Sequence, residues 1–234
     1  MEISGLQKLT LLDYPGRVAC TIFTRGCNYR CPFCHNASLV VRADAQALIP
    51  EEEVLNFLEK RKGLLDGVCI TGGEPMLQKD LEAFILRVKA MDYKVKLDTN
   101  GSFPERLQAI IEAGLVDYVA MDIKNTEEKY EETAGITKEM TQRTLKSVEI
   151  LKKDLVPYEF RTTVVKDFHT EEDFEKIARH LEGARRYFLQ KFVDSGDLIA
   201  SGCSAPTDEE MRKYLSIVRK YLPQAELRGV EKTT

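Results

Sequence analysis

Three cysteines lie close together in one short segment of this 234-residue sequence. Cys27, Cys31 and Cys34 have the spacing C-x3-C-x2-C. Three thiolates from one loop can bind three corners of a cubane [4Fe–4S] cluster, which leaves the fourth iron open to an outside ligand. The alternative is a zinc site with His35 or a distant cysteine as the fourth ligand. Structural zinc sites usually pair two C-x2-C units, and this sequence has no second unit, so the spacing favours the cubane.

The residues around these cysteines resemble a known family. Phe33 precedes Cys34, and the run Cys31-Pro32-Phe33-Cys34-His35-Asn36 resembles the signature of the radical S-adenosylmethionine (radical SAM) superfamily, in particular its glycyl-radical-enzyme activating proteins. The segments 5–8 and 12–16 are similar to the same group, most of all to the long form of the activating proteins of anaerobic ribonucleoside-triphosphate reductase. The resemblance implies a [4Fe–4S] cluster bound by the three cysteines, S-adenosylmethionine as a cofactor, and Phe33 and His35 among the cofactor-binding residues.

A glycine pair ends the second predicted strand, in the run Gly72-Gly73-Glu74-Pro75. Glycines permit positive φ angles and let the backbone approach a small polar ligand closely. The resemblance implies that Gly72, Gly73 and Glu74 contact the methionine amino group of S-adenosylmethionine. The alternative is a tight turn between a strand and a helix with no ligand.

Charged side chains end the next two predicted strands, at Asp98-Thr99-Asn100-Gly101 and Asp122-Ile123-Lys124. Functional residues of parallel barrels gather at the carboxyl ends of the strands. We expect Lys124 to pair with the ligand carboxylate, Asp98 to accept from a hydroxyl or face the positive part of the ligand, and Asn100 and Asp122 to line the same site. The resemblance also implies a monovalent cation held by Asp98, Thr99 and Asp122. A purely structural Asp–Lys network is the alternative.

The last two predicted strands carry one candidate each. The resemblance implies that Arg161 lies near the ligand carboxylate or a peptide substrate, and that Gln190 contacts the adenine or ribose. Of the remaining residues that bear chemistry, we expect His169 and His180 at the surface, and Cys20 and Cys69 in the core.

These residues require a scaffold that brings strand ends together. Six apolar runs of strand length alternate with stretches of helical spacing, and this alternation predicts a parallel sheet with crossover helices. An eightfold barrel takes about 250 residues, so we predict an α/β fold with a partial (β/α)6 TIM-like barrel, of the radical SAM type by resemblance. The alternative is a half-exposed antiparallel sheet. The predicted strands are Val18–Phe23, Gly67–Thr71, Lys94–Thr99, Tyr118–Ile123, Tyr158–Val165 and Tyr187–Phe192, and the predicted helices are Pro50–Lys62, Lys79–Met91, Pro104–Ala113, Met140–Lys153, Glu171–Leu181 and Thr207–Tyr221.

We expect one domain, with residues 1–17 as an N-terminal extension, 18–192 as the barrel and 193–234 as a C-terminal loop and helix. Polar and apolar residues alternate along several strands, as in Lys94, Lys96 and Asp98 against Val95 and Leu97. This pattern predicts an apolar face packed on helices and a polar inner face that lines a cavity.

Composition excludes several classes of function. The formal net charge is −4, which leaves no basic excess for a general nucleic-acid binder. The sequence shows neither a leader nor an apolar run of membrane-span length, so we expect a cytoplasmic protein with no membrane partner.

The resulting hypothesis is an enzyme that cleaves S-adenosylmethionine reductively and generates a glycyl radical on a partner enzyme, with a flavodoxin or ferredoxin as electron donor. Anaerobic ribonucleoside-triphosphate reductase is the partner that the resemblance favours. The alternatives are an activase of the pyruvate formate-lyase type, a radical SAM enzyme acting on a small molecule, and a metal-binding module without catalytic activity.

Overall fold

Eight strands form one sheet in the computed structural model, which describes residues 1–231. Residues 232–234, the end of the predicted C-terminal segment, lie outside the described residues. The strands follow chain order in the sheet: β1 (Ile3–Thr10), β2 (Ala19–Thr24), β3 (Gly67–Gly72), β4 (Lys94–Thr99), β5 (Tyr118–Asp122), β6 (Tyr158–Val164), β7 (Tyr187–Lys191) and β8 (Glu226–Arg228). β1 pairs with β2 in antiparallel orientation, and every later pairing is parallel.

Helices connect the parallel strands. They are α1 (Ala37–Val40), α2 (Glu51–Glu59), α3 (Leu81–Lys89), α4 (Pro104–Glu112), α5 (Tyr130–Ala134), α6 (Lys138–Lys152), α7 (Glu171–His180) and α8 (Asp208–Val218). The helices bury one face each; in α3 the buried positions are Leu81, Phe84, Ile85 and Val88, the spacing of a single helical stripe. Apolar side chains between these helices and the sheet form one continuous core.

The predicted partial barrel is confirmed, with each predicted strand present to within one residue at either end. All six predicted helices are present, although several end up to three residues earlier than expected. The structure adds two edge strands that the sequence did not predict. β1 lies in the predicted N-terminal extension, and β8 follows the last helix.

The inner face of the sheet is polar, as the alternation predicted, and its charges are paired. Lys96 is only 1% exposed and pairs with Asp98. Glu159 is equally buried and accepts hydrogen bonds from Arg228 (2.8 Å) and from the Tyr118 hydroxyl (2.9 Å). Lys94 departs from the pattern, because it lies at the start of β4 and pairs with Asp117 near the surface.

The segment between β7 and α8 contacts the cysteine-bearing segment. The Ala200 amide donates to the Pro32 carbonyl (2.9 Å). The Asp197 carboxylate accepts from the Ser38 amide (3.0 Å) at the start of α1. Within residues 1–231, no helix is both long enough and apolar enough to cross a membrane.

Candidate active site

A polar cavity of about 420 Å³ opens at the carboxyl ends of the parallel strands. All but one of the fourteen residues predicted for the site line this cavity, and Glu74 is the exception. The predicted residues that line it are Cys27, Phe33, Cys31, Cys34, His35, Gly72, Gly73, Asp98, Asn100, Asp122, Lys124, Arg161 and Gln190. Residues from five different strands or strand ends therefore meet around one space, as a parallel topology requires.

The three candidate cluster ligands lie on the segment that follows β2. Their thiols face the same cavity, with Cys31 buried and Cys27 and Cys34 half-buried. The segment is fixed from within, because the Cys34 amide donates to the Cys31 carbonyl (3.1 Å) and the Tyr29 amide donates to the Cys27 sulfur (3.4 Å). The sequence placed these three cysteines together, and the fold turns them toward one ligand space.

The chemistry of these donors fits an iron–sulfur cluster. Burial raises the pKa of the Cys27 thiol to about 12 and that of Cys31 to about 11, with the positive charge of Lys124 acting against burial at Cys31. Soft thiolates are the usual ligands of iron–sulfur clusters, and a bound metal deprotonates a coordinating thiol. Among residues 1–231, no group of three or more His, Cys, Asp or Glu side chains is gathered in a way that could hold a single metal ion.

The glycine pair brings β3 against the cysteine-bearing segment. Gly72 has a φ of +118°, and a Cβ atom there would lie 2.3 Å from the Thr24 amide nitrogen. A Cβ atom on Gly73 would lie 1.8 Å from the Gly26 carbonyl oxygen. The close approach lets the Gly73 amide donate to the Thr24 carbonyl (2.9 Å) and the Glu74 amide donate to the Gly26 carbonyl (2.7 Å). The pair therefore fixes the position of the residue just before Cys27.

Glu74 lies behind the cavity wall, and its carboxylate is fully buried. It accepts hydrogen bonds from the Met76 amide (3.0 Å), the Thr99 hydroxyl (2.9 Å) and the Asn100 amide (2.7 Å). Burial raises its pKa to about 7, although these three donors act in the opposite direction. Its hydrogen bonds thus join the ends of β3 and β4, a structural arrangement that the sequence did not predict.

Five charged side chains form an alternating chain through the lumen. Lys96 pairs with Asp98, Asp98 accepts from Arg161 (3.1 Å), Arg161 donates to Asp122 (3.0 Å), and Asp122 accepts from Lys124 (3.0 Å). Four of the five, Asp98, Asp122, Lys124 and Arg161, line the cavity together with Asp13, so carboxylates and cations both face the ligand space. Arg161 bridges two carboxylates, whereas Lys124 pairs with Asp122, which leaves Lys124 the cation better placed to bind an anionic group.

The pKa values of Asp122 and Lys124 keep both groups charged. Burial alone would raise the pKa of Asp122, but the charges of Lys124 and Arg161 outweigh burial and hold that pKa well below its usual range. Burial alone would lower the pKa of Lys124, but Asp122 and Cys31 raise it above its ordinary value. The predicted Asp–Lys network therefore exists, and it lines the same cavity as the thiols. The two carboxylates that the resemblance assigned to a monovalent cation pair with Arg161 here.

The rest of the cavity wall contains some residues that were predicted from the sequence and some that were not. Gln190 lines the cavity and lies 3.5 Å from the Arg228 guanidinium. The His35 ring packs on Phe192 with ring centres 5.5 Å apart, and burial lowers its pKa. Several further residues line the cavity without a role predicted from the sequence: Asp13, Tyr29, Val40, Thr71 and Thr163. The resemblance drew attention to residues 12–16, which was the one signal for Asp13.

One prediction outside the main site is wrong. His169 is buried, with 2% of its surface exposed, because it lies in the turn after β6 and both ring nitrogens contact backbone groups. His180 is exposed, as expected. Cys20 and Cys69 are core thiols, also as expected, and Cys69 lies beneath the lumen with its sulfur 3.7 Å from Asp98.

Comparison with known proteins is consistent with this geometry. The model of the radical SAM superfamily matches residues 21–181. A Methanocaldococcus jannaschii protein, whose provisional name is glycyl-radical enzyme activating enzyme, is 34% identical over 237 residues, which cover 99% of this chain and 97% of the relative. The GTP 3′,8-cyclase of Helicobacter pylori is 29% identical over 68% of this chain, and the match spans about half (51%) of that enzyme.

Solved structures share the fold at low sequence identity. A domain of pyruvate-formate lyase-activating enzyme from Bacteroides vulgatus superposes with a TM-score of 0.58 at 18% identity, over 70% of this chain and 99% of that one. Streptococcus suis SuiB bound to its precursor peptide SuiA gives a TM-score of 0.71 at 14% identity, over 89% of this chain and 48% of that one. On the family match and the full-length relative, the chain belongs to the radical SAM superfamily of enzymes, whose cofactors are a [4Fe–4S] cluster and S-adenosylmethionine.

Proposed function

We propose that this protein is a glycyl-radical-enzyme activase and that its partner is anaerobic ribonucleoside-triphosphate reductase. The observation that carries the activase assignment is the similarity to the M. jannaschii protein along nearly the whole of both chains. The choice of reductase as partner rests on the resemblance of residues 5–8, 12–16 and 31–36 to that group of activases.

We propose that Cys27, Cys31 and Cys34 hold the cluster, since their thiols share one wall of the cavity. A bound, reduced cluster would supply one electron for the reductive cleavage of S-adenosylmethionine. Methionine and 5′-deoxyadenosine would be the products, and the hydrogen atom gained by 5′-deoxyadenosine would come from the Cα of a glycine of the partner. The protein binds, orients and shields these groups. No side chain of the chain has to transfer a proton.

The charged chain supplies the ligand contacts in this proposal. Lys124 binds the carboxylate of S-adenosylmethionine. It is the last cation in the row of charged side chains, and it lies near enough to Cys31 and Cys34 for both thiols to raise its pKa. Asp98 and Asp122 keep Arg161 and Lys124 in place, and the backbone of Gly72 and Gly73, which lines the cavity, faces the amino group. Gln190, on β7, faces the adenosine. Glu74 acts indirectly, by fixing the ends of β3 and β4.

A cytoplasmic location and a flavodoxin or ferredoxin as electron donor fit the activase assignment. A small-molecule reaction is the second candidate, and the partial similarity to GTP 3′,8-cyclase favours it.

The test is electron paramagnetic resonance of an anaerobic mixture of the iron-loaded protein, dithionite, S-adenosylmethionine and a candidate partner. Parallel mixtures contain anaerobic ribonucleoside-triphosphate reductase or pyruvate formate-lyase, and C31A is the control. A glycyl doublet with the reductase alone supports the full proposal, and a doublet with the lyase alone contradicts the choice of partner. If neither protein gives a doublet while GTP is consumed, the small-molecule reaction replaces the activase.

A further inference from the structure

The backbone of Lys124 lies just beyond the end of β5, where the sheet no longer supplies hydrogen-bond partners. Two buried side chains satisfy it instead. The Lys124 amide donates to the Tyr130 hydroxyl (3.2 Å), and the His169 Nε2 atom lies 2.8 Å from the Lys124 carbonyl oxygen. Buried backbone groups need such partners, and here both come from side chains on other elements.

The neighbouring residue, Asn125, is held by the same two elements, namely α5, which carries Tyr130, and the turn after β6, which carries His169. The Asn125 side-chain amide donates to the Thr133 hydroxyl (2.9 Å), which lies on α5 with Tyr130, and to the Phe168 carbonyl (2.9 Å), which precedes His169. The Tyr130 hydroxyl also donates to the Asp122 carbonyl (3.3 Å). Residues 122–125 are therefore held from α5 on one side and from the turn after β6 on the other.

The hydrogen-bond pattern fixes which nitrogen of His169 faces Lys124 as a donor. The Lys124 carbonyl oxygen can only accept, so Nε2 carries the proton of that hydrogen bond. Nδ1 lies 3.1 Å from both the amide nitrogen and the carbonyl oxygen of Val165, and burial, which lowers the pKa of His169, favours the neutral ring in which Nδ1 accepts from the amide. The ring packs on Phe174, with centres 5.4 Å apart and planes inclined by 26°. Tyr130 is fully buried. Both groups are thus rigid, as a residue that positions another must be.

We propose that Tyr130 and His169 are positioning residues that fix Lys124 and thereby set the affinity for S-adenosylmethionine. A lysine side chain is long and flexible, so its ammonium group is placed by its backbone and by Asp122 together (Nζ to carboxylate, 3.0 Å). Removing a backbone partner lets the strand end move and displaces the ammonium group from the ligand carboxylate. The inference rests on the proposed role of Lys124.

The test compares Y130F with Y158F on the iron-loaded protein. Tyr158 is a matched control, because it is also fully buried and its hydroxyl also accepts from a backbone amide, that of Arg185 (3.1 Å), away from residues 122–125. We expect Y130F to raise the equilibrium Kd for S-adenosylmethionine roughly fivefold to tenfold, with kcat at saturation changed by less than about twofold. Y158F should leave the Kd unchanged.

Two substitutions at His169 separate positioning from local stability. Glutamine places an amide donor where Nε2 lies and keeps the bond to the Lys124 carbonyl, whereas asparagine reaches only the Nδ1 position and keeps the bond to Val165. Positioning predicts that H169N raises the Kd for S-adenosylmethionine more than H169Q does. A role confined to the turn after β6 predicts the reverse order, which would overturn the proposal.

Hydrogen exchange measures the backbone contact without using the cofactor. The Lys124 amide should exchange at least about tenfold faster in Y130F than in Y158F, because its acceptor is gone. Equal exchange rates, or equal Kd values for the two variants, would refute the positioning role. If the wild-type protein binds no S-adenosylmethionine, the proposed function fails instead, and the exchange rates still report on the backbone contact.

Discussion

Substituting Gly73 by alanine tests whether the glycine pair serves to place the cluster ligands. The new Cβ atom would lie 1.8 Å from the Gly26 carbonyl oxygen, which belongs to the residue before Cys27. Gly73 does not have a positive φ angle, so the substitution adds no backbone strain of its own. The effect of the substitution therefore comes from this steric clash, and the clash can be relieved only if the backbone at Gly26 moves.

The size of the effect follows from the overlap. A carbon and an oxygen need roughly 3.5 Å, so the segment around Gly26 must move by about 1.7 Å. A misplacement of about 1 Å in a catalytic constellation can lower a rate by about 10²-fold. We expect G73A to lose most of its iron on anaerobic reconstitution and to form 5′-deoxyadenosine at least about 100-fold more slowly than the wild type.

The assay measures the iron content per chain and the visible absorbance after reconstitution, together with the thermal unfolding of the metal-free protein. G183A is the control, because Gly183 has a φ of +84° but a Cβ atom there meets nothing within 4 Å. That variant should lose roughly 1 kcal/mol of stability through backbone strain and keep its iron. A wild-type iron content in G73A would show that the glycine pair does not determine the position of the cluster ligands.

Three further predictions concern single side chains. E74Q should lower the free energy of unfolding by about 2–3 kcal/mol, because glutamine must turn an NH₂ group toward a backbone or hydroxyl donor. A free energy of unfolding from chemical denaturation that lies within about 0.5 kcal/mol of the wild-type value would contradict this. K124M should raise the Kd for S-adenosylmethionine about 10- to 100-fold through loss of a charge-assisted hydrogen bond, measured by titration calorimetry, and an unchanged Kd would remove Lys124 from the site. Burial lowers the pKa of His169 below 6.5, so its contribution to stability is complete above that pH and is lost as the pH falls further. The stability difference between wild type and H169Q should therefore shrink between pH 7.5 and 5, and a constant difference would contradict a buried neutral imidazole.

Residue spacing in the sequence was sufficient to predict the barrel and part of the cavity wall, whereas Phe33, His35, Arg161 and Gln190 were predicted from the family resemblance. Six alternating strands and helices define a parallel sheet, and parallel strands bring their carboxyl ends to one edge. The positions of Asp98, Asp122 and Lys124 at strand ends therefore predicted that they would meet. The topology alone accounts for this part of the site.

Features that depend on long-range contacts could not be predicted. β8 is three residues long and exists because it pairs with β7. His169 has a polar sequence neighbourhood, and only the packing of Phe174 and the carbonyl of Lys124 make its site buried. Glu74 follows the glycine pair and so was expected at the ligand, whereas the amide of Asn100, from the next strand, draws its carboxylate behind the wall.

The formation of 5′-deoxyadenosine by the iron-loaded protein tests the account most directly. With dithionite and S-adenosylmethionine under strictly anaerobic conditions, the wild type should contain about four irons per chain and release 5′-deoxyadenosine and methionine in equal amounts, whereas C31A should release neither. A wild-type preparation that holds a full cluster yet leaves S-adenosylmethionine intact, or a C31A variant that cleaves it at the wild-type rate, would contradict the central claim.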